Sequence, residues 1–121
     1  MRPMIGIVDD DPSILHALQR LLGTAGFRVK TFGSAEALLA SDQLDQIRCL
    51  ALDIHLDGPS GFDLQERLAA AHSRMPIIFI TALDEVRTRE RARKSGAVDY
   101  LRKPFDEQAL IAAINLALDK A

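Results

Sequence analysis

Five short apolar runs alternate with five amphipathic stretches along this chain, and this alternation limits the fold more than any other feature. The runs predict strands at 4–8, 28–32, 49–52, 77–80 and 98–101. The stretches that follow them predict helices at 12–22, 35–40, 62–71, 84–95 and 106–120. Most runs are continuously apolar, which is typical of strands buried on both faces of a parallel sheet, whereas the run at 28–32 alternates like an edge strand. We therefore predict an α/β fold with a five-stranded parallel sheet and helices on both faces.

The size and composition of the chain exclude several classes of protein. Its 121 residues suit one domain over 1–121, and a net charge of −2 argues against a basic, nucleic-acid-binding surface over the whole domain. The single cysteine, Cys49, cannot form an intramolecular disulfide. No apolar run approaches a membrane span, and the first residues do not form a signal peptide. The composition predicts a cytoplasmic domain without a membrane partner.

Polar residues follow four of the five predicted strands. Asp9 and Asp10 come after the first strand, Asp53 after the third, Thr81 after the fourth and Lys103 shortly after the fifth. In an open parallel sheet, ligands bind at the carboxyl ends of the strands. We therefore expect these side chains to meet in one cleft.

Carboxylates gathered in one cleft repel each other, since a pair at ~4 Å costs roughly 4 kcal/mol at an effective dielectric near 20. A divalent cation relieves this repulsion, and hard oxygen ligands favour Mg²⁺ or Mn²⁺. A lysine ammonium and a threonine hydroxyl in the same cleft are suitable partners for phosphate oxygens. The residues together predict a carboxylate, metal and phosphoryl site.

This set of residues resembles the receiver domain of two-component response regulators, and the resemblance covers essentially the whole chain. Each matching motif is weak alone, but together and in this order they are specific. The closing motif resembles receivers of the nitrogen-fixation regulator (FixJ-like) group most. The motifs are IVDDD at 7–11, ALDIHL at 51–56, SGF at 60–62, ITA at 80–82 and GAVDYLRKPF at 96–105.

The resemblance implies a flavodoxin-like (βα)5 receiver fold and a phosphoacceptor at Asp53, which becomes an aspartyl phosphate. It also implies a Mg²⁺ (or Mn²⁺) ion. Asp10 and Asp53 would bind this ion directly, the backbone carbonyl of His55 would be a further ligand, and Asp9 would act through a metal-bound water.

Around the phosphoryl group the resemblance implies contacts from Lys103, Thr81 and the small residue Ala82. Pro104 would follow a cis peptide bond that aims the lysine inward. Tyr100 would be an aromatic switch coupled to Thr81, so that phosphorylation changes the face formed by the fourth helix, fifth strand and fifth helix.

As a function, the resemblance implies a signalling phosphoacceptor that assists its own phosphorylation and dephosphorylation but is not an enzyme. The donor would be a sensor histidine kinase. The switching face would control an output domain or partner, or form a homodimer after phosphorylation. A DNA-binding output domain would lie outside these residues, so that 1–121 is either a whole regulator or the N-terminal part of a longer one.

Two segments depart from the usual receiver pattern. In the loop after Asp53 the proline is at a different position from the usual one, and Asp57 adds an acidic residue. We interpret Asp57 as part of an ordinary turn. The alternative is that Asp57 modulates metal affinity or phosphate lifetime. His55 and Leu83 are at positions where receivers tune dephosphorylation. The fourth predicted helix carries few apolar residues and an excess of bases, which predicts either a solvated helix with charge pairs such as Glu85 with Arg89 or a mobile face for an acidic partner.

Two other functions compete with this interpretation. The start of the acidic motif also fits phosphatases of the haloacid-dehalogenase type, with Asp9 as nucleophile and Asp11 as acid/base. The other alternative is a receiver-like binding module that does not use phosphorylation. The presence of all five expected site residues argues against the second alternative, and the short chain argues against the first.

Overall fold

The computed structural model describes residues 2–56, 58, 60–71 and 74–120. Strands and helices alternate five times in these residues, as the sequence predicts, and a short 3-10 turn, Leu44–Gln46, precedes the third strand. The elements are β1 Met4–Val8, α1 Pro12–Thr24, β2 Arg28–Phe32, α2 Ala35–Leu39, β3 Ile47–Asp53, α3 Gly61–Ala70, β4 Ile77–Thr81, α4 Val86–Lys94, β5 Asp99–Arg102 and α5 Glu107–Lys120.

The five strands form one parallel sheet in the order β2-β1-β3-β4-β5. Every residue of β1 and β4 is buried, because both strands lie inside the sheet with helices on both faces. The edge strand β2 is only partly buried, which confirms the interpretation of its alternating sequence. The predicted fold class is therefore confirmed.

Apolar residues form a core on each face of the sheet. One core joins the sheet to α2, α3 and α4 through residues such as Leu38, Phe62 and Ala92. The other joins it to α1 and α5 through residues such as Leu22 and Ile114. Cys49 is fully buried in the second core, and burial raises the pKa of its thiol to about 12, so it acts as a small apolar residue.

Three strands differ in length or position from the prediction, and one of them, β4, differs only in that it also includes Thr81. β3 begins two residues earlier, because Ile47 pairs with Met4 of β1, and it includes Asp53, which is opposite Ile80 of β4. β5 begins and ends one residue later, since the turn through Gly96, at a φ of 86°, and Val98 leads into it. These shifts leave Asp53 as the last residue of its strand.

The helix α4 is shorter than predicted, and its charge pairs differ. Its extended N-cap residue is Glu85, so the guanidinium of Arg89 pairs with Asp84 and not with Glu85. Only Ala92 of this helix is buried, while Val86 is 77% exposed. The predicted lack of an apolar stripe is therefore confirmed, but the predicted ion pair is wrong.

Within the described residues, no helix has both the length and the apolar character that a membrane span requires.

Candidate functional site

The strand order brings the predicted polar residues to one edge of the sheet. Because β1 and β3 are neighbours, Asp9, directly after β1, lies beside Asp53 at the end of β3. Thr81 ends the next strand, β4, and Lys103 directly follows β5. The backbone N–H of Lys103 donates to the carbonyl of Thr81 at 2.7 Å, which holds these two strand ends together.

Three carboxylates meet at this edge. Asp9, Asp10 and Asp53 each offer an oxygen, and these oxygens lie within 4.8 Å of one another. Asp9 and Asp53 are buried, whereas Asp10 is exposed to solvent. Such a set of hard oxygen ligands, open on one side to water, fits a Mg²⁺ or Mn²⁺ ion.

The hydrogen bonds of the three carboxylates differ. Asp9 accepts from the backbone N–H of Asp11 at 2.9 Å on one oxygen and from the ammonium of Lys103 at 2.7 Å on the other. Asp53 accepts from the N–H of His55 at 3.1 Å and from Lys103 at 3.4 Å. Among the described residues nothing donates to the side chain of Asp10. Asp10 is therefore the carboxylate most available to a cation, and Asp9 the least.

The charges at the site act on one another. Burial is the main cause that raises the pKa of Asp53, and the Asp9 charge adds to it, while the N–H of His55 and the ammonium of Lys103 oppose it. Burial alone would lower the pKa of Lys103, but Asp9 and Asp53 outweigh it and the pKa rises. Lys103 therefore stays positively charged between the two carboxylates.

The hydroxyl of Thr81 makes both of its hydrogen bonds to Leu83, two residues further on. It donates to the carbonyl of Leu83 at 3.1 Å and accepts from its N–H at 3.0 Å. Thr81 is completely buried, while Ala82 and Leu83 are exposed at the mouth of the site. In this structure the hydroxyl thus holds the loop between β4 and α4.

Tyr100 is half-buried and lies on the same face of the sheet as Thr81. Across the two strands Tyr100 is opposite Phe79, and Thr81 is two residues beyond, so their side chains are diagonal neighbours. The hydroxyl of Tyr100 is shielded from water and makes no hydrogen bond of normal geometry among the described residues; burial, and next the negative charge of the nearby Asp84, raise its pKa. A cavity of about 430 Å³ between α4 and β5 adjoins this side chain.

The remaining predicted residues are less informative. The Lys103–Pro104 peptide bond is cis, as the resemblance implies. His55 is exposed and contributes its backbone N–H to Asp53. Asp57 lies outside the described residues.

Sequence reasoning did not explain Gly61, the first residue of α3. A Cβ atom there would lie 2.6 Å from the carbonyl oxygen of Asp53 and 3.0 Å from the Cα of Ile54. These are backbone atoms that cannot move aside, so only glycine lets α3 begin this close to the end of β3. The one sequence signal was the SGF motif at 60–62, one of the motifs that carry the resemblance to receiver domains.

Sequence reasoning also missed Arg91 of α4. Its guanidinium lies 4.3 Å from the ring centroid of Phe62 in α3, and it pairs with Glu66 at 3.4 Å. The Phe62 ring in turn contacts Phe79 of β4, with ring centroids 4.8 Å apart. Nothing in the spacing of the arginines along α4 distinguished this one from the others.

Known proteins are similar to this chain in sequence and in fold. The family described as response regulator receiver domain matches residues 5–115. The response regulator protein TmoT of Ectopseudomonas mendocina is 42% identical over 98% of this chain and 54% of its own length. The transcriptional regulatory protein FixJ of Bradyrhizobium diazoefficiens is 36% identical over 97% of this chain and 57% of its own length.

A solved structure agrees with these relatives. The crystal structure of FixJ-N superimposes with a TM-score of 0.89 and 33% identity, covering 100% of this chain and 97% of that one. This chain spans about half the length of the curated relatives it matches. The match over most of the chain confirms the predicted resemblance, including the FixJ-like group. The chain therefore belongs to the response regulator receiver domain family.

Proposed function

We propose that Asp53 accepts a phosphoryl group from a phosphohistidine of a sensor histidine kinase in a Mg²⁺-dependent reaction. A carboxylate oxygen of Asp53 attacks phosphorus, a P–O bond forms, the P–N bond breaks, and the electron pair returns to the imidazole nitrogen of the donor. One observation carries the proposal: the ammonium nitrogen of Lys103 lies 3.4 Å from a carboxylate oxygen of Asp53 and 2.7 Å from one of Asp9. The carboxylate of Asp10 lies beside these two.

The metal-binding residues in this proposal are Asp10 and Asp53, with the carbonyl of His55 and, through water, Asp9. When bound, Mg²⁺ supplies positive charge that offsets the three carboxylates and the incoming phosphoryl oxygens. The assignment of Asp9 to a water-mediated contact is supported by its two existing hydrogen bonds. Asp10 has its exposed carboxylate available for direct coordination.

The protein's own groups position the phosphoryl group. Lys103 moves from its two carboxylates toward the new oxygens, and Ala82 leaves space beside them. Thr81 rotates to donate its hydroxyl, which releases both of its hydrogen bonds to Leu83. Pro104, Leu83, His55 and Asp57 are the positions where we expect the phosphate lifetime to be tuned.

The release of Leu83 starts the switch in this proposal. The space vacated by Thr81 lets Tyr100 turn inward, and the face of α4, β5 and α5 changes to control an output domain or form a homodimer. We place one receiver domain over 1–121, working in the cytoplasm, with a DNA-binding output domain in another part of a longer regulator. The domain assists its own phosphorylation and dephosphorylation and has no separate substrate.

The test is to locate the phosphorylated residue after treatment with phosphoramidate and Mg²⁺. We expect mass spectrometry of the borohydride-reduced protein to find the label at Asp53. Asp53→Asn should abolish labelling, whereas Asp42→Asn, an exposed aspartate away from the site, should leave it unchanged. Label at Asp9 would instead indicate chemistry of the haloacid-dehalogenase type, and no label at all would favour a binding module.

A further inference from the structure

Arg48 interrupts the apolar sequence of β3, the central strand of the sheet. The other six residues of β3 are buried, and Arg48 alone is exposed. The register with β1 shifts here, so that Met4 is opposite Ile47 but Ile5 is opposite Cys49, and Arg48 has no opposite residue in β1. An extra residue of this kind forms a bulge, which redirects its side chain out of the ladder.

Three more arginines lie at the same edge of the sheet. Arg2 precedes β1, Arg28 begins β2 and Arg74 precedes β4, so this is the amino edge, at the opposite end of the strands from Asp53. The side chain of Arg28 is held in place, because its Nε donates to the carbonyl of Arg2 at 2.9 Å. With strands about 4.8 Å apart, the four arginines span about 14 Å.

Two adjoining cavities connect these arginines. One, of about 590 Å³, is lined by Arg2, Arg28, Arg48 and Asp45, and the other, of about 480 Å³, is lined by Arg48, Arg74 and Asp45. Both are lined by Arg48 and Asp45, and we call the two cavities together the amino-edge groove. The charged residues in its described lining are four arginines and one aspartate, with a formal charge of +3. The lining is apolar at Met4, Leu44, Met75 and Leu118.

We propose that the amino-edge groove binds an extended acidic peptide segment of a partner protein, with apolar side chains between the acids. Guanidinium groups pair with carboxylates through two parallel hydrogen bonds and are weakly hydrated. The described residues that line the groove include arginines and no lysines, which is typical of interfaces, where arginine is enriched and lysine depleted. Its length of about 14 Å suits about four extended residues, and the apolar lining accepts their side chains.

The lining of the groove favours a peptide over a nucleic acid. No aromatic residue is among the described residues that line either cavity, so these residues offer bases no platform on which to stack. Asp45 lines both cavities, and its negative charge would repel a continuous row of phosphates. A peptide can place an apolar or neutral residue opposite Asp45 and its acids opposite the arginines.

The test uses the fluorescein-labelled peptide ELDLEL as probe and maps its binding on ¹⁵N-labelled protein by NMR. We expect shift changes at residues 2–4, 44–48 and 74–76, and binding that weakens at least tenfold between 50 and 500 mM NaCl. Shift changes confined to α4, the other basic surface, would overturn the proposal, as would no binding at millimolar peptide.

Matched charge reversals separate the two basic surfaces. Arg48→Glu should weaken binding at least tenfold, whereas Arg87→Glu on the exposed side of α4 should leave it unchanged. Arg48→Gln, which removes only the charge, should show an intermediate loss with an unchanged NMR spectrum elsewhere, so that misfolding is distinguished from lost contact. Equal loss in the Arg48 and Arg87 variants, or tighter binding of hexathymidylate than of the peptide, would contradict the assignment.

Discussion

The helices α4 and α5 flank the same strand, β5, but are attached to the domain in different ways. α5 buries Leu110, Ala113, Ile114 and Ala117, and full burial of a large aliphatic side chain contributes roughly 1.5–3 kcal/mol. α4 buries only Ala92.

Polar contacts replace apolar burial in α4. Arg91 lies on the ring of Phe62, and Gln65 of α3 donates to the hydroxyl of Ser95 at 3.0 Å, just after the helix ends. Exposed ion pairs contribute about 0–1 kcal/mol each, and an exposed cation–π contact about 0.5–1 kcal/mol. We therefore expect α5 to be a fixed part of the core and α4 to be the more easily displaced of the two helices.

The largest expected effect is a loss of stability when the buried face of α5 is changed. Ile114→Ala removes a fully buried side chain and should lower the free energy of unfolding by about 2–5 kcal/mol, measured by urea denaturation. Leu116→Ala is the control on the same helix; because Leu116 is 47% exposed, its change should stay within about 0.5 kcal/mol. Equal losses for both variants would mean that burial does not anchor α5.

Amide hydrogen exchange should distinguish the two helices in the unmodified protein. Amides in the last turn of α4 should open locally and exchange on the order of a hundredfold faster than those of α5 near Ile114, after correction for intrinsic rates. Equal protection would show that α4 is as firmly attached as α5 and would remove the basis for a mobile switch face.

A smaller effect should follow from loss of the contact between α4 and α3. Arg91→Ala removes the cation–π contact with Phe62 and should cost about 0.5–1 kcal/mol while further accelerating exchange in α4 but not in α5. Arg87→Ala is the matched control, because this exposed arginine makes no ion pair among the described residues. If both variants accelerate exchange equally, general charge loss rather than the contact with Phe62 is responsible.

The smallest expected effect concerns an exposed ion pair within α4. The hydrogen bond and charge of Arg93 lower the pKa of Glu90 below its ordinary 4.5. A lowered folded-state pKa means that the pair stabilises the helix above pH 4.5 and loses this effect as the pH falls through the folded value. An NMR titration should show a midpoint below 4.5, which Arg93→Gln raises and Arg87→Gln does not.

The same contrast separates what was predictable from what was not. The amphipathic pattern at 106–120 predicted a helix with one apolar face, and the few apolar residues at 84–95 predicted the exposure of α4, because an apolar stripe repeats every 3.6 residues. The partners of Arg89 and Arg91 were not predictable. Asp84 lies before the helix, and Phe62 is in another helix, so neither contact follows from spacing along α4.

At the candidate site, the sequence by itself determined the residues at the carboxyl edge, since Asp9, Asp53 and Thr81 directly follow or end apolar strands. Only the tertiary structure decided how their side chains pair. Lys103, directly after β5, contacts Asp9 and Asp53 although it is 94 and 50 residues away from them in sequence. The hydroxyl of Thr81 binds Leu83 because the local turn places both backbone groups within reach.

At the amino edge, the tertiary structure decided still more. The sequence shows one arginine in an apolar run, but only the strand pairing produces the bulge at Arg48 and brings it beside Arg28 and Arg74. The burial of a helix or strand follows from an apolar pattern among a few neighbouring residues, so it can be predicted from a short stretch of sequence. The direction of a charged side chain depends on which strands pair and in what register, and residues far apart in the chain determine both.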